Sequence, residues 1–137
     1  MKTILIIDDD VKTSSKYKKW LESEEGFNST LINDPQTAEL NFKSTDYDLV
    51  LIGFKMSVMD GFNLYDKLHE ISKKVEDTPK EFRVCFMTSS IINYKALADI
   101  HPELGQECYV SKEVPKEVFI KHINSLIPWL YSIVNDS

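Results

Sequence analysis

Five short apolar runs, at residues 3–7, 27–32, 49–52, 84–87 and 108–110, alternate along the chain with segments whose apolar residues recur at helical spacing. Strand, helix and strand in strict succession make right-handed crossovers, so the alternation dictates an α/β fold with a parallel sheet and helices on its faces. The runs at 49–52 and 84–87 are wholly apolar, as in strands covered on both sides. The run at 27–32 carries Asn28, Ser29 and Thr30 and suits a sheet edge.

Between the strands, residues 11–25 set Tyr17, Trp20 and Leu21 on one helical face, with Gly26 placed as a C-terminal cap. Asp34-Pro35 opens a second helix, a carboxylate cap followed by proline at the first position, with Ala38 and Phe42 four apart and an end near Ser44. After Gly61 a third helix carries Leu64, Leu68 and Ile71 to about Lys74, and the charged stretch 73–81 with Pro79 reads as a solvated loop. Residues 91–100 form a short helix closed by His101-Pro102. The last helix begins at Pro115 and carries Val118, Phe119, Ile123, Leu126 and Ile127; Pro128 stops or kinks it before an apolar tail from Trp129 to Val134. There is no repeat, so one domain over residues 1–137 is expected, with no output domain.

A net charge of −6 argues against duplex DNA or another nucleic acid as a direct partner. No apolar run approaches the roughly 20 residues of a membrane span, and residues 3–7 are too short for a signal peptide core, so a cytoplasmic protein is expected. Cys85 and Cys108 lie in apolar runs and belong to no Cys-x-x-Cys pair, which leaves disulfide and zinc readings without support. His69, His101 and His122 are scattered, and none is assigned a role.

A parallel sheet brings the carboxyl ends of its strands to one rim, where ligands bind. In chain order those ends carry Asp8 and Asp9, then Gly53, then Thr88, then Lys112. Paired carboxylates with a backbone carbonyl are hard oxygen ligands suited to Mg²⁺, and a hydroxyl beside an ammonium can hold a phosphoryl oxygen. Asp10 reads as the cap of the first helix.

With these residues in view the chain resembles the receiver domain of response regulators over essentially its whole length. The likeness rests on Ile6-Ile7-Asp8-Asp9-Asp10, on Asp48-Leu49-Val50-Leu51-Ile52 followed by Met56-Ser57-Val58-Met59-Asp60-Gly61, on Phe86-Met87-Thr88-Ser89 and on Tyr109-Val110-Ser111-Lys112. The resemblance implies a flavodoxin-like (βα)5 sheet in the order 2-1-3-4-5. It implies a signalling role in a two-component system or phosphorelay, with a histidine kinase or downstream effector as partner. It assigns Asp8, Asp9 and the backbone carbonyl of Lys55 to Mg²⁺, Thr88 to the switch hydroxyl, Tyr109 to the switch aromatic and Lys112 to phosphate contact. Receivers often pair through the fourth helix, fifth strand and last helix, which implies a homodimer there.

Three positions depart from the family pattern. Gly53 falls on the phospho-acceptor aspartate, Ser57 replaces a proline before Met-Asp-Gly, and Glu113 replaces the proline after the lysine. Gly53 can neither attack phosphorus nor bind metal, so the favoured expectation is a pseudo-receiver that signals by contact, with Mg²⁺ bound weakly or not at all. Two alternatives stand beside it: an ordinary receiver carrying an introduced Asp-to-Gly change, or phosphorylation at Asp60, Asp10 or Ser57. A Mg²⁺-dependent phosphoryl-handling enzyme on the same fold lacks an activated nucleophile or base.

Overall fold

The computed structural model describes residues 2–75, 82–89 and 94–127. Strands β1 (Lys2–Ile7), β2 (Phe27–Ile32), β3 (Leu49–Gly53), β4 (Arg83–Thr88) and β5 (Tyr109–Ser111) alternate with helices α1 (Val11–Glu22), α2 (Pro35–Asn41), α3 (Gly61–Val75), α4 (Tyr94–Ile100) and α5 (Lys116–Leu126). All neighbouring strands are parallel, in the order β2-β1-β3-β4-β5. The polar β2 is an edge strand, as its composition predicts.

Successive strand residues point to opposite faces, and the apolar runs divide accordingly. Ile4, Ile6, Leu49, Leu51, Cys85 and Met87 face a core with Tyr17 and Leu21 of α1 and Phe119, Ile123 and Leu126 of α5. Leu5, Ile7, Val50, Ile52, Val84 and Phe86 face the other, with Ala38 of α2 and Phe62, Tyr65 and Leu68 of α3. Burial on both sides is why these strands tolerate no polar alternation.

Several boundaries differ from the sequence reading. Helix α1 stops at Glu22, because the Ser23 hydroxyl turns back to donate to Trp20 O (2.7 Å) and its N–H bonds Lys19 O (3.1 Å). Gly26 therefore caps nothing; with φ 93° it makes the left-handed turn into β2. Helix α2 ends at Asn41, and Ser44–Asp46 forms a separate 3₁₀ turn. Cys108 lies in a 3₁₀ turn, Gln106–Cys108, its N–H bonded to Gly105 O (3.1 Å), so β5 starts one residue later and Cys108 is only half-buried. Val118 is 48% exposed, since Phe119 and Ile123 take the inward face of α5. Helix α3 runs on to Val75, through the first three residues of the loop expected at 73–81; the rest of that loop, the start of the fourth helix before Tyr94 and the tail after Ile127 lie outside the described residues. No helix among the described residues is long and apolar enough to cross a membrane.

Candidate functional site

The carboxyl ends of β1, β3, β4 and β5 form one rim. The register sets Ile7 beside Ile52 and Gly53 beside Met87, so Asp8 and Gly53 emerge from adjacent strands. Asn33 donates to Asp8 O (2.8 Å) and to Ser14 Oγ (3.1 Å), tying the tip of β1 to the loop after β2 and to α1. On the other flank Lys112 N–H donates to Thr88 O (2.7 Å), joining the ends of β4 and β5.

The Lys112 ammonium reaches across the rim to Asp8 Oδ2 at 2.8 Å and lies 3.5 Å from Asp10 Oδ2. Asp8 is fully buried, and its Oδ1 accepts the Asp10 N–H (3.1 Å). Burial pushes its carboxyl above the ordinary value, against the downward pull of Lys112 and the Asp10 N–H. Asp10 caps α1 as expected, accepting from Thr13 N–H (3.2 Å); bonds from Thr13 hold it below the ordinary carboxylate value. Its proximity to Lys112 was missed by sequence reasoning, which read it as the helix cap and, in one alternative, as a phosphorylation site. Asp9 accepts the Ser57 N–H through Oδ2 (2.6 Å).

At Gly53 the backbone is fully buried, and a Cβ would stand 2.6 Å from Asp8 Oδ1 and 2.7 Å from Asp8 Cγ. The Asp8 carboxylate thus fills the space into which any side chain at position 53 would project. Gly61 serves a different need. Its N–H donates to Phe54 O (2.7 Å), and a Cβ there would meet Gly53 O at 2.8 Å and Phe86 Cδ1 at 2.9 Å. Asp60 caps α3, accepting from Asn63 N–H (2.8 Å), and pairs across a β-bridge with Lys55, whose side chain is exposed.

Thr88 is buried, and its hydroxyl lies 3.5 Å from Val110 O. Tyr109 is also buried, in the aromatic cluster on the α3 side of the sheet. It stacks on Phe86 (ring centres 5.7 Å apart) and meets Tyr94 edge-on (5.5 Å). Its hydroxyl has no hydrogen-bond partner among the described residues. The crevice between Phe54, Lys55, Met87, Thr88, Ser89 and Lys112 holds about 20 Å³, room for about one water. A larger cavity of about 870 Å³ opens elsewhere, near Phe82 and Arg83 at the amino end of β4, away from the rim residues.

These donors do not fit a Mg²⁺ ion as they stand. Asp8 is engaged by Lys112 and the Asp10 N–H, Asp9 by Ser57, and position 53 contributes no side-chain oxygen. Among the described residues no three acidic, histidine or cysteine side chains gather around a metal position.

A 2-1-3-4-5 parallel sheet with a buried carboxylate paired to a lysine across the strand ends is the arrangement of a receiver-type module. The response regulator receiver domain family matches residues 4–124, and the chain belongs to that family. No curated protein sequence matches it. Among solved structures it is similar to a two-component response regulator from Clostridium difficile (20% identity, TM-score 0.71, 95% of this chain and 98% of that one covered). It is also similar to a CheY-like response regulator receiver domain protein from Methanospirillum hungatei (21%, TM-score 0.67, 91% and 92% covered). A third is a chain of the CheX-CheY-BeF3-Mg complex from Borrelia burgdorferi (21%, TM-score 0.70, 92% and 89% covered). Receiver domains generally hold Mg²⁺ at the acidic site and act as signalling modules.

Proposed function

We propose that this receiver domain signals through protein contact without accepting a phosphoryl group. One observation supports the reading: position 53, where the resemblance puts the acceptor, is glycine, and the space beside it is taken by the Asp8 carboxylate. The rim keeps two of the family's three carboxylates, and one of these already faces a lysine. Attraction for a divalent cation scales with the charge available, so Mg²⁺ binds weakly or not at all. Addition of Mg²⁺ is expected to leave the melting temperature unchanged; a saturable rise would contradict this.

The partner is a histidine kinase or a downstream effector of a two-component pathway, or a second copy of the chain. A similar receiver is seen in complex with CheX. The surface best suited to such contact is formed by α4, β5 and α5. Helix α4 buries none of its residues, and Tyr94 (38%), Ile100 (62%) and Val118 (48%) are exposed there.

The test is incubation with acetyl phosphate and Mg²⁺ followed by intact-mass measurement. The unaltered chain gains no phosphoryl group. A mass gain that peptide mapping places on Asp60, Asp10 or Ser57 would overturn the reading. Gly53→Asp restores labelling once Asp8 yields its place.

A further inference from the structure

We infer that Gly53 is the residue that allows Asp8 and Lys112 to close on each other, making a permanent clasp across the rim where a phosphoryl group would otherwise set its shape. The geometry follows from strand order. Lys112 leaves β5 and Asp8 leaves β1, and between them in the sheet stand β4 and β3. For Lys112 Nζ to lie 2.8 Å from Asp8 Oδ2, its side chain must span the tips of both intervening strands. The tip of β3 is Gly53, and the atoms a Cβ there would strike are those of the Asp8 carboxylate, at 2.6, 2.7 and 3.0 Å. Any other residue at this position pushes Asp8 off its place.

The clasp is anchored at both ends. Asp8 is held by the Asp10 N–H on Oδ1 and by Asn33 on its backbone carbonyl. Lys112 is held by its own N–H on Thr88 O, and Glu113 N–H closes on Ser111 Oγ (3.1 Å), fixing the turn that follows β5. An ion pair between two anchored groups joins the first and last strands of this part of the sheet, and breaking one partner leaves the other charge buried without its match. Lys112 thereby supplies the positive charge opposite the acidic rim, and the ends of β4 and β5 stand in one arrangement independent of any phosphoryl donor.

This inference rests on the acceptor-free reading of Gly53, but the two fail separately. Acetyl phosphate labelling tests that reading, whereas the clasp is tested by the chemical reactivity of the Lys112 amine. Brief acetylation of the whole chain, with peptide mass spectrometry to score each lysine, compares the unaltered protein with Gly53→Ala and Asp8→Asn. Alanine adds no carboxylate and cannot restore an acceptor; asparagine keeps the shape of Asp8 and removes its charge. In the unaltered chain Lys112 reacts more slowly than the exposed Lys55, and in both variants its rate relative to Lys55 rises several-fold. Should Gly53→Ala fail to fold, Asp8→Asn alone decides. A Lys112 rate unchanged in the folded variants, or equal to that of Lys55 in the unaltered chain, overturns the clasp.

Discussion

Two glycines at the rim use the missing Cβ in different ways. At Gly61 the neighbours are fixed atoms, the Gly53 carbonyl and the Phe86 ring, so Gly61→Ala forces backbone and core apart. Overpacking of this kind costs about 1–3 kcal/mol, and urea unfolding will show a lower midpoint at unchanged slope. At Gly53 the neighbour is the end of a short side chain, which moves more readily than backbone. Gly53→Ala there trades the loss of the Asp8–Lys112 contact against a gain of about 0.5–1 kcal/mol from replacing a strand glycine. Its stability change is therefore smaller than that of Gly61→Ala; an equal or larger loss would show that Asp8 cannot give way. The sequence makes Gly53 conspicuous as a gap in the site. It does not reveal that Asp8 turns into that gap, because a side-chain rotamer depends on space left by a distant residue on the next strand.

Helix α4 buries none of its residues, while β5 beside it carries the buried Tyr109 and Val110. Tyr109 on β5 packs against four rings, those of Phe54, Phe62, Phe86 and Tyr94, yet its buried hydroxyl has no partner among the described residues. A buried hydroxyl left unpaired is a cost, so Tyr109→Phe stabilises the fold by about 1 kcal/mol at neutral pH. Burial also pushes this phenol up to about 12 from the ordinary 10.0. Its folded value lies above the unfolded one, so its contribution is intact below pH 10 and is lost as pH rises through 10 to 12. Urea midpoints of the two proteins across that window will show the alkaline loss in the unaltered chain and a smaller loss in the variant. A Tyr109→Phe protein less stable at neutral pH would mean that the hydroxyl has a partner after all. The short β5 also explains a limit of sequence reasoning: Cys108 is apolar enough to read as strand, but Gly105 draws it into a 3₁₀ turn. Helix periodicity placed Phe119 and Ile123 correctly in α5 and could not tell that Val118, one position earlier, faces out.

For the whole molecule, the fold was legible because burial of both sheet faces writes itself into unbroken apolar runs, and the polar β2 marks an edge. The convergence of Asp8, Thr88 and Lys112 was legible too, since a parallel sheet leaves the carboxyl ends nowhere else to meet. The pairings at the rim were legible in part: with no carboxylate at position 53, Lys112 is expected to turn to Asp8 or Asp9, and it is Asp8 that it meets. Lys112 chooses Asp8 and Asp10 over Asp9, which the Ser57 N–H claims. Oligomeric state belongs to this scale as well. The exposed Tyr94, Ile100 and Val118 predict self-association through α4, β5 and α5, so light scattering during size exclusion will show mass rising with concentration, and a monomer at the highest concentration contradicts it.

A rim that accepts no phosphoryl group offers nothing to beryllofluoride, a phosphoryl mimic, and this is its most direct test. Amide NMR spectra recorded before and after adding beryllofluoride with Mg²⁺ should superimpose at Thr88, Tyr109 and Lys112, while the Gly53→Asp protein shifts at all three. Saturable shifts at these residues in the unaltered chain would contradict the account.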